Sequence, residues 1–183
     1  RQKMDTRDSG RLQVDLETIN KRIEDGGVSI ILACDLNYGI GIDGDMLFWI
    51  DDDLKRFKEI TMGKNLYMGR STFESTGPLE GRKMIVLSSK NPEGADEVIH
   101  DFDEFRERLK NDKNGMLIGG ANTVNSLIHD VRYMYLTIVL KTFKADSTLL
   151  DPIKNGFVLE SESEIMVDDK TGLNYKYVVF KRK

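Results

Sequence analysis

The sequence predicts an α/β fold: a mixed sheet with helices on its faces and an antiparallel edge at the carboxyl-terminal end. Three observations carry this expectation. The segments VSIILACDL, NLYM, KMIVL, GMLIGG and VRYMYLTIVL are β-rich and nearly continuous in apolar residues, as strands covered on both faces are. Stretches with helical period lie between them, at 51–61, 71–75, 102–110 and 121–128. A last pair of strand-like stretches, 157–166 and 174–182, flanks DDKTG and reads as a hairpin. With 183 residues the chain suits one domain with a real core.

In chain order, residues 1–11 are polar and read as disordered or as an artificial leader, and the start at Arg1 reads as processed or truncated. LQVDLETINKRIEDGG then sets Leu12, Leu16, Ile19 and Ile23 at heptad spacing before Gly26-Gly27, which predicts an amphipathic helix over 12–25. That helix either docks on the domain or drives a weak homo-oligomer; fewer than two heptads favours docking. The organisation is an extension over 1–27 and a folded domain over 28–183.

Composition removes several function classes. A net charge of −4 with pI near 5.3 argues against a general nucleic-acid surface. The longest apolar run, IILAC, is far too short to span a bilayer, and no signal-peptide core is present, so no membrane partner is expected. The single cysteine, Cys34, cannot form an internal disulfide, which suits a reducing, cytoplasmic setting. His100 and His129 have no ligand spacing to each other or to Cys34, so no metal is expected.

GIGIDG at 39–44 matches the letters of a dinucleotide fingerprint, but no helical period opens inside it, so its glycines read as a flexible loop. Two other turns have the required strand-to-helix form. MLIGGANTVNSLI passes through Gly119-Gly120 into a helix with Val124, Leu127 and Ile128 on one face, and NLYMGRSTFES does the same through Gly69, with Arg70, Ser71 and Thr72 following. LSSK adds Ser88, Ser89 and Lys90 at another strand end. A glycine at a turn is more often geometry than binding. Together, though, these groups favour a phosphorylated dinucleotide with its 2′-phosphate near Arg70.

The triplet Asp51-Asp52-Asp53 opens the helix at 51–61. At about 100° per residue, Asp53 lies within about 40° of Phe57 and about 20° of Ile60, whereas Asp52 falls about 100° off that stripe and Asp51 nearly opposite. Lys55 and Arg56 are then expected to form surface pairs with Asp51 and Asp52, and Asp51 suits the N-cap. Asp53 is left on the apolar face without a local cation. Either a buried set of backbone donors compensates it, or a ligand with an amidine-like pair of N–H groups does.

The elements IILACDLNYGIG, DLKRFKEIT, MGRSTFES, PLEGRKMIVLSS, MLIGGA, YLT, the KADS loop and YKYVVFKRK stand in an order and spacing that resembles dihydrofolate reductase, over roughly 28–183. The resemblance implies a mixed eight-stranded sheet with four flanking helices. It also implies NADPH-dependent reduction of 7,8-dihydrofolate to tetrahydrofolate, supporting one-carbon metabolism and thymidylate synthesis, and a target for antifolates. On matching positions, Asp53 would hold the pterin, with Thr137 in the same hydrogen-bond network. Ile31, Ala33, Leu54, Phe57 and Ile118 would line the substrate slot, and Arg82 would clamp the carboxylate of its glutamate tail. NADPH would be held by Ala33, Ile40, Met46, Gly69, Arg70, Ser71, Thr72, Leu87, Ser88, Ser89, Gly119, Gly120, Ala121 and Asn122, with GIGIDGDM as a mobile loop over the site.

Four positions depart from the family pattern. Phe48 stands where a tryptophan is usual, Val124 where an aromatic is common near the nicotinamide, and Thr76 where an aliphatic wall is usual; a residue after Gly77 is missing. Two alternatives therefore stand beside the reductase. One is a non-catalytic binding or structural protein on the same fold. The other is the related pyrimidine reductase of riboflavin synthesis, against which Asp53 and Arg82 count.

Overall fold

The computed structural model describes residues 12–183, so the expectation for residues 1–11 lies outside the described residues. Helix α1 (Leu16–Glu24) begins where Asp15 accepts a hydrogen bond from the Thr18 amide at 2.8 Å, a side-chain N-cap. Its apolar stripe turns inward: Leu12, Ile19 and Ile23 are buried among residues of the sheet, including Ile31, Tyr133, Tyr135 and Val179. Arg22 fastens the helix. Its guanidinium lies over the Tyr133 ring at 4.2 Å, donates to the Tyr135 hydroxyl at 3.2 Å and pairs with Glu160 at 3.0 Å. The helix is thus docked on the domain.

Strand β1 (Val28–Cys34) is the centre of the main sheet, and its burial on both faces matches its continuous apolar sequence. The chain continues through β2 (Gly39–Ile42), β3 (Asp45–Met46), α2 (Asp51–Thr61), β4 (Asn65–Gly69), α3 (Arg70–Thr76), β5 (Lys83–Leu87) and β6 (Glu97–Ile99). Then come α4 (Phe102–Asn111), β7 (Gly115–Gly119), α5 (Ala121–Ser126), β8 (Val131–Val139) and β9 (Ser147–Thr148). After a 3-10 turn at Ile153–Asn155, strands β10 (Phe157–Glu162), β11 (Met166–Val167) and β12 (Asn174–Arg182) complete the described chain.

The main sheet runs β10-β12-β8-β1-β7-β4-β5-β6, with β11 a short addition to β12. From β8 to β6 all neighbours are parallel, whereas β12 is antiparallel to β8 and to β10. The expected mixed eight-stranded sheet with an antiparallel carboxyl-terminal edge is therefore present. Helices α1, α2 and α3 cover one face through Ile19, Ile60 and Phe73, and α4 and α5 cover the other through Phe105, Leu109 and Val124. Because six strands are parallel, their carboxyl ends share one edge of the sheet, where α/β proteins bind ligands.

Residues 39–46 differ from the expected flexible loop. They form the β2–β3 hairpin, which β9 extends into a small antiparallel sheet. Asp43 (φ 51°) and Gly44 (φ 83°) both take positive φ between its strands, as the Asp-Gly pair favours in a tight hairpin turn. That short-range signal was present within GIGIDG and was outweighed by the glycine count. No helix opens inside the motif, in keeping with its rejection as a dinucleotide fingerprint.

The docked helix yields a stability prediction. Ile19→Ala and Ile23→Ala each remove a fully buried side chain and should cost about 2–5 kcal/mol in urea unfolding. Loss below about 1 kcal/mol for both would show that the helix is not part of the folded unit.

Candidate active site

Helix α2 lies on the sheet with Asp53, Arg56 and Ile60 buried and Phe57 half-buried. Its N-cap is Ile50, which has no side-chain acceptor, and the first turn carries three aspartates, whose charge suits the positive end of the helix. Two expectations are corrected here. Asp51 is the first helical residue rather than the N-cap, and its partner is Lys170, 2.6 Å away in the turn before β12. Arg56 does not pair with Asp52 on the surface. It is 1 % exposed and lies inside the protein, because the third residue after Asp53 falls only about 60° from it around the helix.

Asp53 is buried, and its Oδ1 accepts a hydrogen bond from the Thr137 hydroxyl at 2.5 Å. Thr137 comes from β8, in register with Ala33 of β1 on one side and Tyr177 of β12 on the other. Burial pushes the Asp53 carboxyl above its ordinary range, while the charge of Arg56 and the Thr137 hydrogen bond pull it back. The carboxylate is thus held by a side-chain hydroxyl and a nearby cation. The backbone-donor alternative is not what the protein uses, since none of Asp53's hydrogen bonds comes from the main chain among the described residues.

Strand alternation places Ile31 and Ala33 on the same face as Thr137, with Ile118 of β7 beside them, and α2 supplies Leu54 (exposed) and Phe57 as a wall. At the other end of α2, Arg82 donates to Thr61 Oγ1 at 3.3 Å and to the Glu80 carbonyl at 3.0 Å. It has no ion-pair partner within reach among the described residues, and partial burial lowers its pKa without removing its charge. Eight residues of helix separate Asp53 from Thr61, about 12 Å along the axis. A carboxylate and a guanidinium therefore mark the two ends of one groove wall.

The carboxyl ends of the parallel strands bring the other candidates together. Gly69 is in register with Leu87, Met68 with Gly119, and Leu87 with Ile99. Gly69–Arg70, Leu87–Ser88 and Gly119–Gly120 thus leave the sheet side by side, with Ser71, Thr72, Ser89, Ala121 and Asn122 following. The glycine turns interlock: a Cβ on Gly69 would meet Thr123 Oγ1 at 2.7 Å, and one on Gly119 or Gly120 would meet Thr72 Oγ1 at 3.0 or 3.2 Å. Neither α3 nor α5 has a side-chain N-cap, which leaves amide donors at both turns. This cradle of bare backbone, hydroxyls and cations fits the phosphates of a dinucleotide. Arg70 is exposed and pairs with Glu74 at 3.0 Å, an exposed pair that an anion can replace at little cost. Ile40 and Met46 sit half-buried on the β2–β3 hairpin.

Sequence reasoning missed two residues. Arg56 was assigned to the surface although the helical period puts it on the inward stripe. His100 is exposed, as the sequence reading had it, but its place after β6 was missed: its Nδ1 lies 2.8 Å from the Ser88 carbonyl, beside the candidate phosphate groups. Of the departures, Val124 is fully buried in the core, Phe48 packs with Ile50, Val139, Tyr175 and Tyr177, and the Thr76 hydroxyl bonds the Gly77 carbonyl. The first two are thus packing changes.

A family model described as dihydrofolate reductase matches residues 27–182. A dihydrofolate reductase of Bacillus subtilis (strain 168) is 30 % identical over 160 residues, 85 % of this chain and 95 % of that protein. One from Staphylococcus aureus (strain Mu50) is 31 % identical over the same length, covering 98 % of that protein, and a type 3 dihydrofolate reductase of Salmonella typhimurium is 32 % identical with the same coverage. Among solved structures, a dihydrofolate reductase from Enterococcus faecalis complexed with NADP(H) and RAB-propyl superposes with a TM-score of 0.77 at 29 % identity, covering 86 % of this chain and 97 % of that one.

The interlocked glycine turns are testable by thermal unfolding. Gly69→Ala should destabilise by about 1–3 kcal/mol through its clash with Thr123, and Thr123→Ala in the same chain should recover part of the loss. Purely additive effects would contradict the cradle geometry.

Proposed function

The chain belongs to the dihydrofolate reductase family, and from that premise we propose a reaction and a role for each residue of the site. The protein is an NADPH-dependent oxidoreductase that reduces 7,8-dihydrofolate to 5,6,7,8-tetrahydrofolate, with hydride arriving at C6 and a proton at N5. The observation that carries the site assignment is the buried carboxylate of Asp53, oriented by Thr137 at one end of α2, with Arg82 at the other.

In this reading the Asp53 carboxylate accepts the N–H groups at N3 and the 2-amino substituent of the pterin. Little water surrounds it, so its negative charge acts on the ring through a low effective dielectric and favours protonation of N5. Thr137 fixes the carboxylate's orientation. Ile31, Ala33 and Ile118 form the floor and exclude water, Leu54 and Phe57 pack on the pterin and benzoyl rings, and Arg82 takes the glutamate α-carboxylate as a planar fork. The separation of Asp53 from Arg82 along α2 suits a ligand with a heterocycle at one end and a carboxylate at the other.

NADPH, when bound, supplies the hydride. Arg70, Ser88 and Ser89, with His100 beside them, would hold its 2′-phosphate, and Thr72 and Gly120 its pyrophosphate. Gly69, Ser71, Leu87, Gly119, Ala121 and Asn122 would complete that side, with Ala33, Ile40 and Met46 toward the nicotinamide. The β2–β3 hairpin would close over the site and exclude water during transfer. Residues 28–183 are the catalytic unit in this reading and 1–27 an extension, in keeping with the family match.

The burial of Ile19 and Ile23 of α1 against the sheet supports a monomer over association through that helix. A cytoplasmic setting is supported by Cys34, buried and unpaired, and no helix of the described residues is long and apolar enough to cross a membrane. The pyrimidine-reductase and non-catalytic readings are not favoured by the family match.

The experiment is turnover of dihydrofolate with NADPH, followed by nicotinamide absorbance. Asp53→Asn should lose at least about 100-fold in kcat/KM near neutral pH, while Asp51→Asn and Asp52→Asn stay within about threefold. Arg82→Leu should raise KM for dihydrofolate about 10- to 100-fold with a smaller change in kcat. No turnover by the folded wild type, or equal losses across the three aspartates, would overturn the assignment.

A further inference from the structure

Arg56 is a buried cation to which the proposed reaction gives no task. It stands three residues after Asp53 on the inward face of α2 and is 1 % exposed. Its Nη1 donates to Thr137 Oγ1 at 3.3 Å, and the same hydroxyl donates to Asp53 Oδ1 at 2.5 Å. Cation, hydroxyl and carboxylate form one chain, each polarising the next. The guanidinium plane lies over the Tyr177 ring at 4.3 Å, which fixes its position. Among the described residues no other carboxylate engages it. Burial lowers its pKa, the groups that oppose this are Asp53 and the phenols of Tyr177 and Tyr135, and Nε and Nη2 make no hydrogen bond to any described residue. A guanidinium with so few partners is not buried for a structural ion pair elsewhere.

We propose that Arg56 is a positioning residue of the active site: the internal counter-ion that keeps Asp53 ionised and, through the Thr137 hydroxyl, aligned toward the pterin. This rests on the reading of Asp53 as the substrate-holding carboxylate. The groups facing Asp53 come from four elements. From α2 it is Arg56; from β8, Thr137; from β12, Tyr175 and Tyr177, on which the exposed Asp52 also acts; from β1, Cys34. Burial raises both phenols and the Cys34 thiol, so all three stay neutral across the working range. Arg56 is therefore the permanent positive charge of the set.

The sign follows. Burial raises the Asp53 carboxyl and Arg56 opposes that rise, so removing the cation should let Asp53 take up its proton at higher pH. A positive charge beside the site also opposes any proton shared by the carboxylate–substrate pair. Its removal should move the alkaline loss of activity upward too.

The direct test is NMR titration of the Asp53 carboxyl carbon in protein labelled with 13Cγ-aspartate, assigned with Asp53→Asn. In Arg56→Met the midpoint should rise by about one unit or more, and in Arg56→Lys, which restores the charge, it should stay near wild type. Arg56→Gln, which can keep the bond to Thr137 without the charge, provides a second uncharged variant and should shift like Arg56→Met. The pH profile of turnover should move in the same direction. An Asp53 midpoint unchanged in either uncharged variant, or a shift that Arg56→Lys shares, overturns the counter-ion role. If the titration shifts but dihydrofolate is not turned over, the counter-ion stands and the assigned reaction falls.

Discussion

Removing a carboxylate from water on the inward face of a helix is costly unless other groups replace its hydration, and Asp53 occupies such a position. The protein meets that cost with one hydroxyl from β8 and one cation from the next turn of α2. The arrangement constrains much around it. Thr137 has to lie in register with Ala33 so that its hydroxyl reaches α2, and Tyr177 has to lie beside it on the antiparallel β12 to carry the guanidinium. The antiparallel edge is thus part of the site's electrostatics as well as of the sheet.

The second constraint is the direction of the strands. Six parallel strands deliver their carboxyl ends to one edge, so turns far apart in sequence, at 69–72, 87–89 and 119–122, form one surface. The glycines there serve contact more than flexibility. A side chain at Gly69 would collide with Thr123, and one at Gly119 or Gly120 would press on Thr72. The extension adds cover where the sheet face carries Tyr133 and Tyr135, and Arg22 joins both rings to it.

Much of this was legible in the sequence where the governing period was strong. The alternation of apolar strands and helices gave the sheet, and helical angles separated Asp53 from its two neighbours. Period 3.6 also carried the position of Arg56, but a habit about charge outweighed it: an arginine four residues after an aspartate reads as a surface pair. The β2–β3 hairpin was hidden for a related reason, since three glycines suggested a loop while Asp43-Gly44 specified a turn. Lys170 as the partner of Asp51, and His100 beside Ser88, depend on contacts across the chain that no local pattern encodes.

Substrate binding depends on where the Asp53 carboxylate points once the pterin is present. A crystal structure of the protein with folate and NADP+ measures this most directly. Both carboxylate oxygens are expected within hydrogen-bond distance of N3 and the 2-amino group of the pterin, with Thr137 and Arg56 still behind them. A pterin bound elsewhere, with Asp53 satisfied by protein groups alone, would contradict this.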